Sequence, residues 1–333
     1  MGFIQIDDHR NDMLSRVAES MYWMSRYLER AEHLARLVDV HLNLMLDSSP
    51  EITERERLRR LLDSIGMQPD DYPLTDEETV LKRLTFDPES EFSIRSHLTN
   101  ARENARQIRE ELSSEMWLQL NKLYLDVQRA EADDVWEDSP HSFLVSIKEG
   151  SHLFQGLTDA TMNHNQGWYF IQIGRYVERV IALVTFLNVQ LQQSEDFADG
   201  GRQGNQYFEL VSVLKSNSAF EAYCKVYNPD MKPEWIVDFL LFNEQFPRSA
   251  RFCVDQLLVC LQRLAEVTVR NKNQRVNRLA GRLQSLLSYD DVGDVLSGDF
   301  HNYLMNIRQQ AYAIHDSLYD AYITYSIETA LKK

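Results

Sequence analysis

Glycine and proline are scarce in this chain, at 12 and 8 of 333 residues. That disfavours a turn-rich β architecture and suits long helices. Cysteine is scarcer still. Of Cys224, Cys253 and Cys260, the last two stand seven positions apart, roughly 10 Å along a helix axis and too far for a disulfide. Buried thiols in a reducing compartment are expected. No apolar run approaches the roughly 20 residues that span a bilayer. The opening Met1-Gly-Phe-Ile-Gln-Ile-Asp-Asp-His-Arg10 lacks the basic and apolar regions of a secretory leader, so a cytoplasmic location is expected. Positive charge is also in deficit. With 35 basic residues against 51 acidic ones the net charge is −16, a field that repels nucleic-acid phosphates and anionic membrane surfaces.

Familiar reaction motifs are missing too. There is no Cys-x-x-Cys, His-Glu-x-x-His, phosphate-binding glycine loop or nucleophile elbow. A di-metal carboxylate bundle needs two Glu-x-x-His motifs, and Glu149-x-x-His152 stands alone. No metal and no cofactor are expected, and no nucleophile–base pair can be named.

What is present is helix, nearly everywhere. A hydrophobic fraction of 44% is ordinary for a globular protein, and helical periodicity runs through almost every segment. The pattern predicts a long helix over about 11–47, short helices opened by the capping boxes Thr53-x-x-Glu56 and Thr75-x-x-Glu78, and a helix over about 91–112. Ser113 starts another, and Ser139-Pro140 opens one reaching about 162. A second long helix spans about 166–193. After the glycine-rich 194–204, expected to be a flexible loop, come helices near 205–226, 233–242, 247–270, 273–288 and 300–330. The fold class is all-α, a helical bundle of about ten or more helices with a pseudo-duplicated core. It reads as one domain over 1–333, divisible into halves 10–164 and 165–333.

The duplication rests on a phrase written twice. Arg26-Tyr27-Leu28-Glu29-Arg30 returns as Arg175-Tyr176-Val177-Glu178-Arg179, an offset of 149 residues (175 − 26). At 100° per residue Arg26, Glu29, Arg30, His33 and Arg36 share one side of the first helix, yet Tyr22, Trp23, Leu37, Val40 and Leu44 share that sector. Around the second copy the sector also holds Trp168, Ile171, Ala182, Phe186 and Val189. A helix apolar all round is buried, so both phrases read as charged islands inside the molecule. Buried charge costs several kcal/mol per ion unless paired. Arg175 can pair with Glu178 within its own helix, and each phrase still carries one surplus positive charge. An internal ion-pair network, a pocket for an anion or acidic peptide, and a partner-protein surface all satisfy that pattern.

Secondary candidates are Arg102 and Arg106, which with Arg109 share a helix face leading into Glu115. Asp159 sits mid-helix and is expected to pair with an arginine. Arg248 and Arg251 stand at a helix start, where the dipole opposes them and nearby acids or a ligand are implied. The basic stretch from Arg263 to Arg282 reads as a solvated face.

Several segments together carry a family resemblance. Met13-Leu-Ser-Arg-Val-Ala-Glu-Ser-Met-Tyr-Trp-Met24 running into Arg-Tyr-Leu-Glu-Arg-Ala-Glu, then Asn100–Arg106, Leu112–Trp117, Phe154–Met162, Gly167-Trp168, Gly174–Arg179 and Phe246–Cys253 resemble the alpha-E domain family. The resemblance implies a bacterial all-helical protein that accompanies circularly permuted ATP-grasp-type ligases and transglutaminase-like proteins. It thereby implies a part in making, modifying or trimming amide-linked peptides. An accessory component that binds the ligase or its acidic product, an enzyme of amide-bond formation or transfer, and a purely structural bundle stay open. The second copy departs from the family pattern, with Val180 and Ile181 where Ala-Asp usually follows Glu-Arg, and Thr185 and Asn188 where Arg and Asp usually come later. The first copy, which keeps Arg36 and Asp39, is therefore the expected functional half.

Overall fold

A computed structural model describes residues 13, 15–46, 53–67, 76–191, 203–229, 231–268 and 274–324. Among them are fifteen α-helices and no strand. The first seven are α1 (Ser15–Leu46), α2 (Glu54–Ser64), α3 (Glu77–Phe86), α4 (Ile94–Gln107), α5 (Ser114–Arg129), α6 (Ala132–Asp138) and α7 (Pro140–Thr161). The remainder are α8 (Gln166–Gln190), α9 (Gln203–Ser216), α10 (Phe220–Tyr227), α11 (Pro233–Phe242), α12 (Ala250–Val267), α13 (Gln274–Tyr289), α14 (Val292–Ser297) and α15 (Phe300–Leu318), which runs into a π-helical turn at Tyr319–Ile323.

Eight helices form two rings. α1 packs on α4 and α7, and both of those pack on α5; α8 packs on α12 and α15, and both of those pack on α13. The two rings meet where α1 lies against α8. Close approach there depends on glycine. A Cβ added at Gly174 would sit 2.5 Å from the Tyr22 carbonyl oxygen and 3.3 Å from Ser25 Cβ, and one at Gly167 would sit 2.6 Å from Met21 Sδ. These glycines are two turns apart on one face of α8, so they clear a track for α1. Apolar residues of both helices, among them Met21, Met24, Leu28, Val177 and Val184, are fully or nearly fully buried.

Local chemistry explains most boundaries. Thr53, Ser93, Ser113, Ser139, Asn165 and Ser249 each accept a backbone N–H at the start of a helix. Three expectations shift. The cap of α3 is Asp76, which accepts the Thr79 N–H; Thr75 lies outside the described residues, as do most of 194–204, Arg270 and Lys272. The helix expected over 91–112 begins at Ile94 behind its Ser93 cap and gives way after Gln107 to a 3₁₀ turn at Arg109–Glu111, from which Arg109 still meets the Trp117 ring that Arg102 covers. The helix expected over 205–226 breaks at Ser216–Ala219, where Ser218 has φ 50°.

A second correspondence lies in two turns. The turn from Phe86 to Ser93 into α4 and the turn from Phe242 to Ser249 into α12 (offset 156, 242 − 86) take the same shape. In each, the capping serine donates its hydroxyl to the carbonyl six residues earlier, Ser93 to Asp87 and Ser249 to Asn243. Both turns deliver their helices onto the α1–α8 crossing.

Candidate functional site

At the crossing the two charged phrases exchange partners. Arg26 Nε donates to Glu178 Oε2 at 2.6 Å and Arg30 Nε to Glu178 Oε1 at 2.7 Å. In return Arg179 grips Glu29 with Nε at 2.6 Å from Oε1 and Nη2 at 3.1 Å from Oε2. Arg175 breaks the reciprocity. Its guanidinium donates to Gln172, and it lies over the Tyr176 ring, 5.1 Å from the centroid. The expected Arg175–Glu178 pair is therefore not made, because both oxygens of Glu178 are taken by α1. Arg248 supplies the second cation at Glu29 instead, with Nη1 3.4 Å from Oε1 and Nη2 2.9 Å from Glu32 Oε1.

Burial and pairing decide protonation here. Burial pushes the Glu29 carboxyl up, but Arg179 and Arg248 outweigh it and hold the group at about 2. Glu178 is likewise held at about 2, burial being overcome by Arg26 and Arg30. Arg26 is raised, since Glu178 overcomes its burial. Burial, and then the charge of Arg179, lower Arg248 to about 10, still a full cation at neutral pH. Arg26 is only 2% exposed, hydrogen-bonded to Tyr22 Oη and lying 4.7 Å from the Trp23 ring centroid; Arg30 is 35% exposed.

The rest of α1 continues the first copy as a filled polar seam, with His141 and His152 at its solvent edge. Glu32, with no exposed surface, takes Arg36, Arg248 and His152 Nε2, the last at 3.1 Å. Asp39 accepts Lys148 Nζ at 2.6 Å and meets His141 Nδ1 at 2.5 Å. Gln155 bridges Glu29 and Arg179. Glu32, His141, Lys148, His152 and Gln155 belong to this network, yet the phrase itself does not reveal them; the i,i+4 pair Glu32–Arg36 is the one signal that could have found part of it.

The open space lies on the other side, along the second copy. A cleft of about 570 Å³ is lined by Arg30, His33, His97, Glu178, Thr185 and Asn188, with Asp63, Glu91, Phe92, Arg308 and Tyr312 at its walls. Its α8 wall includes Glu178, Ile181, Ala182, Thr185 and Asn188, the positions that answer to Glu29, Glu32, His33, Arg36 and Asp39 by the 149-residue offset. Side chains that fill the first-copy seam are thus replaced by shorter or neutral ones beside Glu178. Phe92 stands where the second turn has Arg248, by the 156-residue offset. His33 and His97 are neutral. Burial, then Arg248, brings His33 to about 4, and burial, then Arg30, brings His97 to about 3. Each keeps a buried ring nitrogen without a partner.

The other candidates lie apart. Arg102 and Arg106 pair with Glu103, and Arg102 stacks over Trp117 and Tyr124, while Glu115 is exposed. Arg251 pairs with Glu244 and Asp255. Asp159 does not take an arginine: it accepts Trp168 Nε1 at 3.2 Å and Gln172 Nε2 at 3.0 Å, because Arg175 is turned toward Gln172. Cys253 and Cys260 are buried, and burial raises both thiols to about 12. Among the described residues no three His, Cys, Asp or Glu are placed to hold a metal ion, and no helix is long and apolar enough to cross a membrane.

Comparison with known proteins agrees with this geometry at the level of the motif. Residues 13–323 match the model of Alpha-E, described as a predicted alpha-helical domain with a conserved ER motif. Among curated proteins, the chain is 24% identical over 284 residues to an uncharacterized protein of Mycobacterium bovis and equally to uncharacterized proteins of two Mycobacterium tuberculosis strains. The match covers 78% of this chain and 31% of each relative, so the chain spans about a third of the length of those relatives. No solved structure matches it.

Proposed function

The chain belongs to the Alpha-E family, and on that footing we propose that it is an accessory helical protein of amide-linked peptide synthesis or modification. It works beside an ATP-grasp-type ligase, with a transglutaminase-like protein as a further companion. The Glu-Arg motif holds the two rings in register, and the cleft beside Arg30 and Glu178 receives the partner's acidic peptide or a segment of the partner itself.

The observation that carries the accessory reading is the state of the motif glutamates. Glu29 and Glu178, both held at about 2 by arginines of the opposite copy, are poor general bases and cannot deliver protons near neutral pH. Nor do the buried thiols of Cys253 and Cys260, raised to about 12, offer a ready nucleophile. The resemblance already implied a companion enzyme. The length of the mycobacterial relatives, in which the matching region is less than a third of the chain, fits a module that works beside other domains.

Co-expression with an ATP-grasp-type ligase encoded beside this chain tests the reading. Co-purification, together with ligase turnover that falls when the helical protein is omitted, is the expected result. Ligase turnover unchanged by its presence, with no complex on size-exclusion chromatography, would sink the accessory role.

A further inference from the structure

The composition of the cleft narrows what it can hold. Its walls carry two guanidinium groups with donors to spare. Arg30 spends Nε on Glu178 and leaves its terminal nitrogens without a hydrogen bond. Arg308, half-buried on α15, has no carboxylate within 4 Å among the described residues. Besides Glu178, which is engaged by Arg26 and Arg30, two carboxylates share the cavity. Among the described residues Glu91, exposed at the entry to α4, has no ion pair, and Asp63, at the end of α2, meets Arg59 alone, at 3.6 Å. The cavity is of the size that takes small ligands, roughly 300–1,000 Å³.

These charges do not suit a phosphate or another ligand whose charge is wholly negative, which would face Glu91 and Asp63 as well as the arginines; a peptide, acidic or not, fits through its free termini. A bare cation would meet Arg30 and Arg308. A molecule with one charge of each sign satisfies both sets, because a carboxylate accepts the guanidinium fork while an ammonium donates to the carboxylates. We propose that the cleft binds a small amphoteric ligand, an amino acid or the free termini of a short peptide, with its carboxylate on Arg30 and Arg308 and its ammonium toward Asp63 and Glu91. Burial outweighs Arg59 in raising the Asp63 carboxyl, which an ammonium nearby would relieve.

This deepens the accessory function, since it names the chemical class that the cleft takes. The isolated protein tests it without the ligase. Calorimetric titration uses L-alanine, L-glutamate and L-alanyl-L-alanine, then the N-acetylated and C-amidated forms of the dipeptide, and inorganic phosphate. Saturable binding of at least one free zwitterion is expected, weakened about tenfold or more by either cap, as loss of a charge-assisted contact predicts. Arg308→Gln should weaken the free dipeptide by a similar factor and the amidated one hardly at all. Glu91→Gln should do the same for the free and acetylated forms. Both side chains lie outside the Glu-Arg lock, so unchanged thermal midpoints separate lost binding from lost folding. Three results overturn the proposal: no zwitterion binding up to about 10 mM, which is weaker than about −3 kcal/mol; capped and free forms binding equally; or phosphate binding tighter than any zwitterion. Should any of these occur while the ligase complex stands, only the ligand assignment falls.

Discussion

The two motif glutamates, though they share a five-residue phrase, sit in opposite surroundings. Glu29 is sealed by Arg179 and Arg248, and the same face of α1 goes on to Glu32, Arg36 and Asp39, each paired with α7 or α12 or, for Arg36, with Glu32 itself. Glu178 is gripped by Arg26 and Arg30 but opens on its far side to a cleft, because α8 continues with Ile181, Ala182, Thr185 and Asn188 and the α4 turn brings Phe92 in place of an arginine. Glu29 is locked into the interior, whereas Glu178 stays at the edge of a cleft. Duplicated residues thus do not imply duplicated roles; what lies on the third side of the ion pair decides.

Acid should dissolve both sides together. Glu29 and Glu178 fall from 4.5 to about 2, worth about 3 kcal/mol each. Their folded pKa values are depressed, so this stability is fully present above pH 4.5 and is lost as pH falls toward 2. His33 and His97, depressed from 6.5 to about 4 and about 3, start the decline earlier, from about pH 6.5. A thermal midpoint that stays level from pH 7 down to pH 3 would break the account of a buried lock.

Single substitutions should then separate the sides. Glu178→Gln strands the fully buried Arg26, and Glu29→Gln strands Arg179 beside Arg248; either should cost about 3–5 kcal/mol in urea unfolding. The arginines should differ. Arg179→Ala, at a side chain 9% exposed, should cost in that same range of about 3–5 kcal/mol, whereas Arg30→Ala, 35% exposed and with Glu178 still held by Arg26, should cost about 1 kcal/mol. Equal losses at the two positions would erase the distinction between closed and open sides.

Smaller effects probe the crossing itself. Gly174→Ala drives a Cβ to 2.5 Å from the Tyr22 carbonyl, and forcing α1 and α8 apart should cost about 1–3 kcal/mol. Gly156, on α7 with nothing within 4 Å of an added Cβ, should instead gain up to about 1 kcal/mol on conversion to Ala through helix propensity. Calorimetric midpoints that moved in the same direction for both would contradict the close approach at Gly174.

Much of the fold was legible because it follows local rules. The ends of α7, α8 and α11 fall within a few residues of the periodicity, and the caps at Thr53, Ser113 and Ser139 are the side chains expected. Burial of the charged phrases was legible too, from apolar residues on every side of them. Pairing was not. Arg175 seemed matched to Glu178 at i,i+3, yet the opposite helix reaches that carboxylate first, and Asp159 meets Trp168 and Gln172 where an arginine was expected. In the sequence Arg248 is no more than an ill-placed charge at a helix start. Its partners Glu29 and Glu32 lie more than 200 positions away, beyond any local pattern.

By itself the sequence determined that this chain is helical, that it repeats a Glu-Arg phrase, and that the glutamate of each copy is buried, because periodicity, capping and apolar surroundings act over a few turns of chain. Only the tertiary structure decided which copy is sealed and which borders a cleft. That depends on Gly174 letting two helices touch, and on two similar turns that bring an arginine to one glutamate and a phenylalanine to the other.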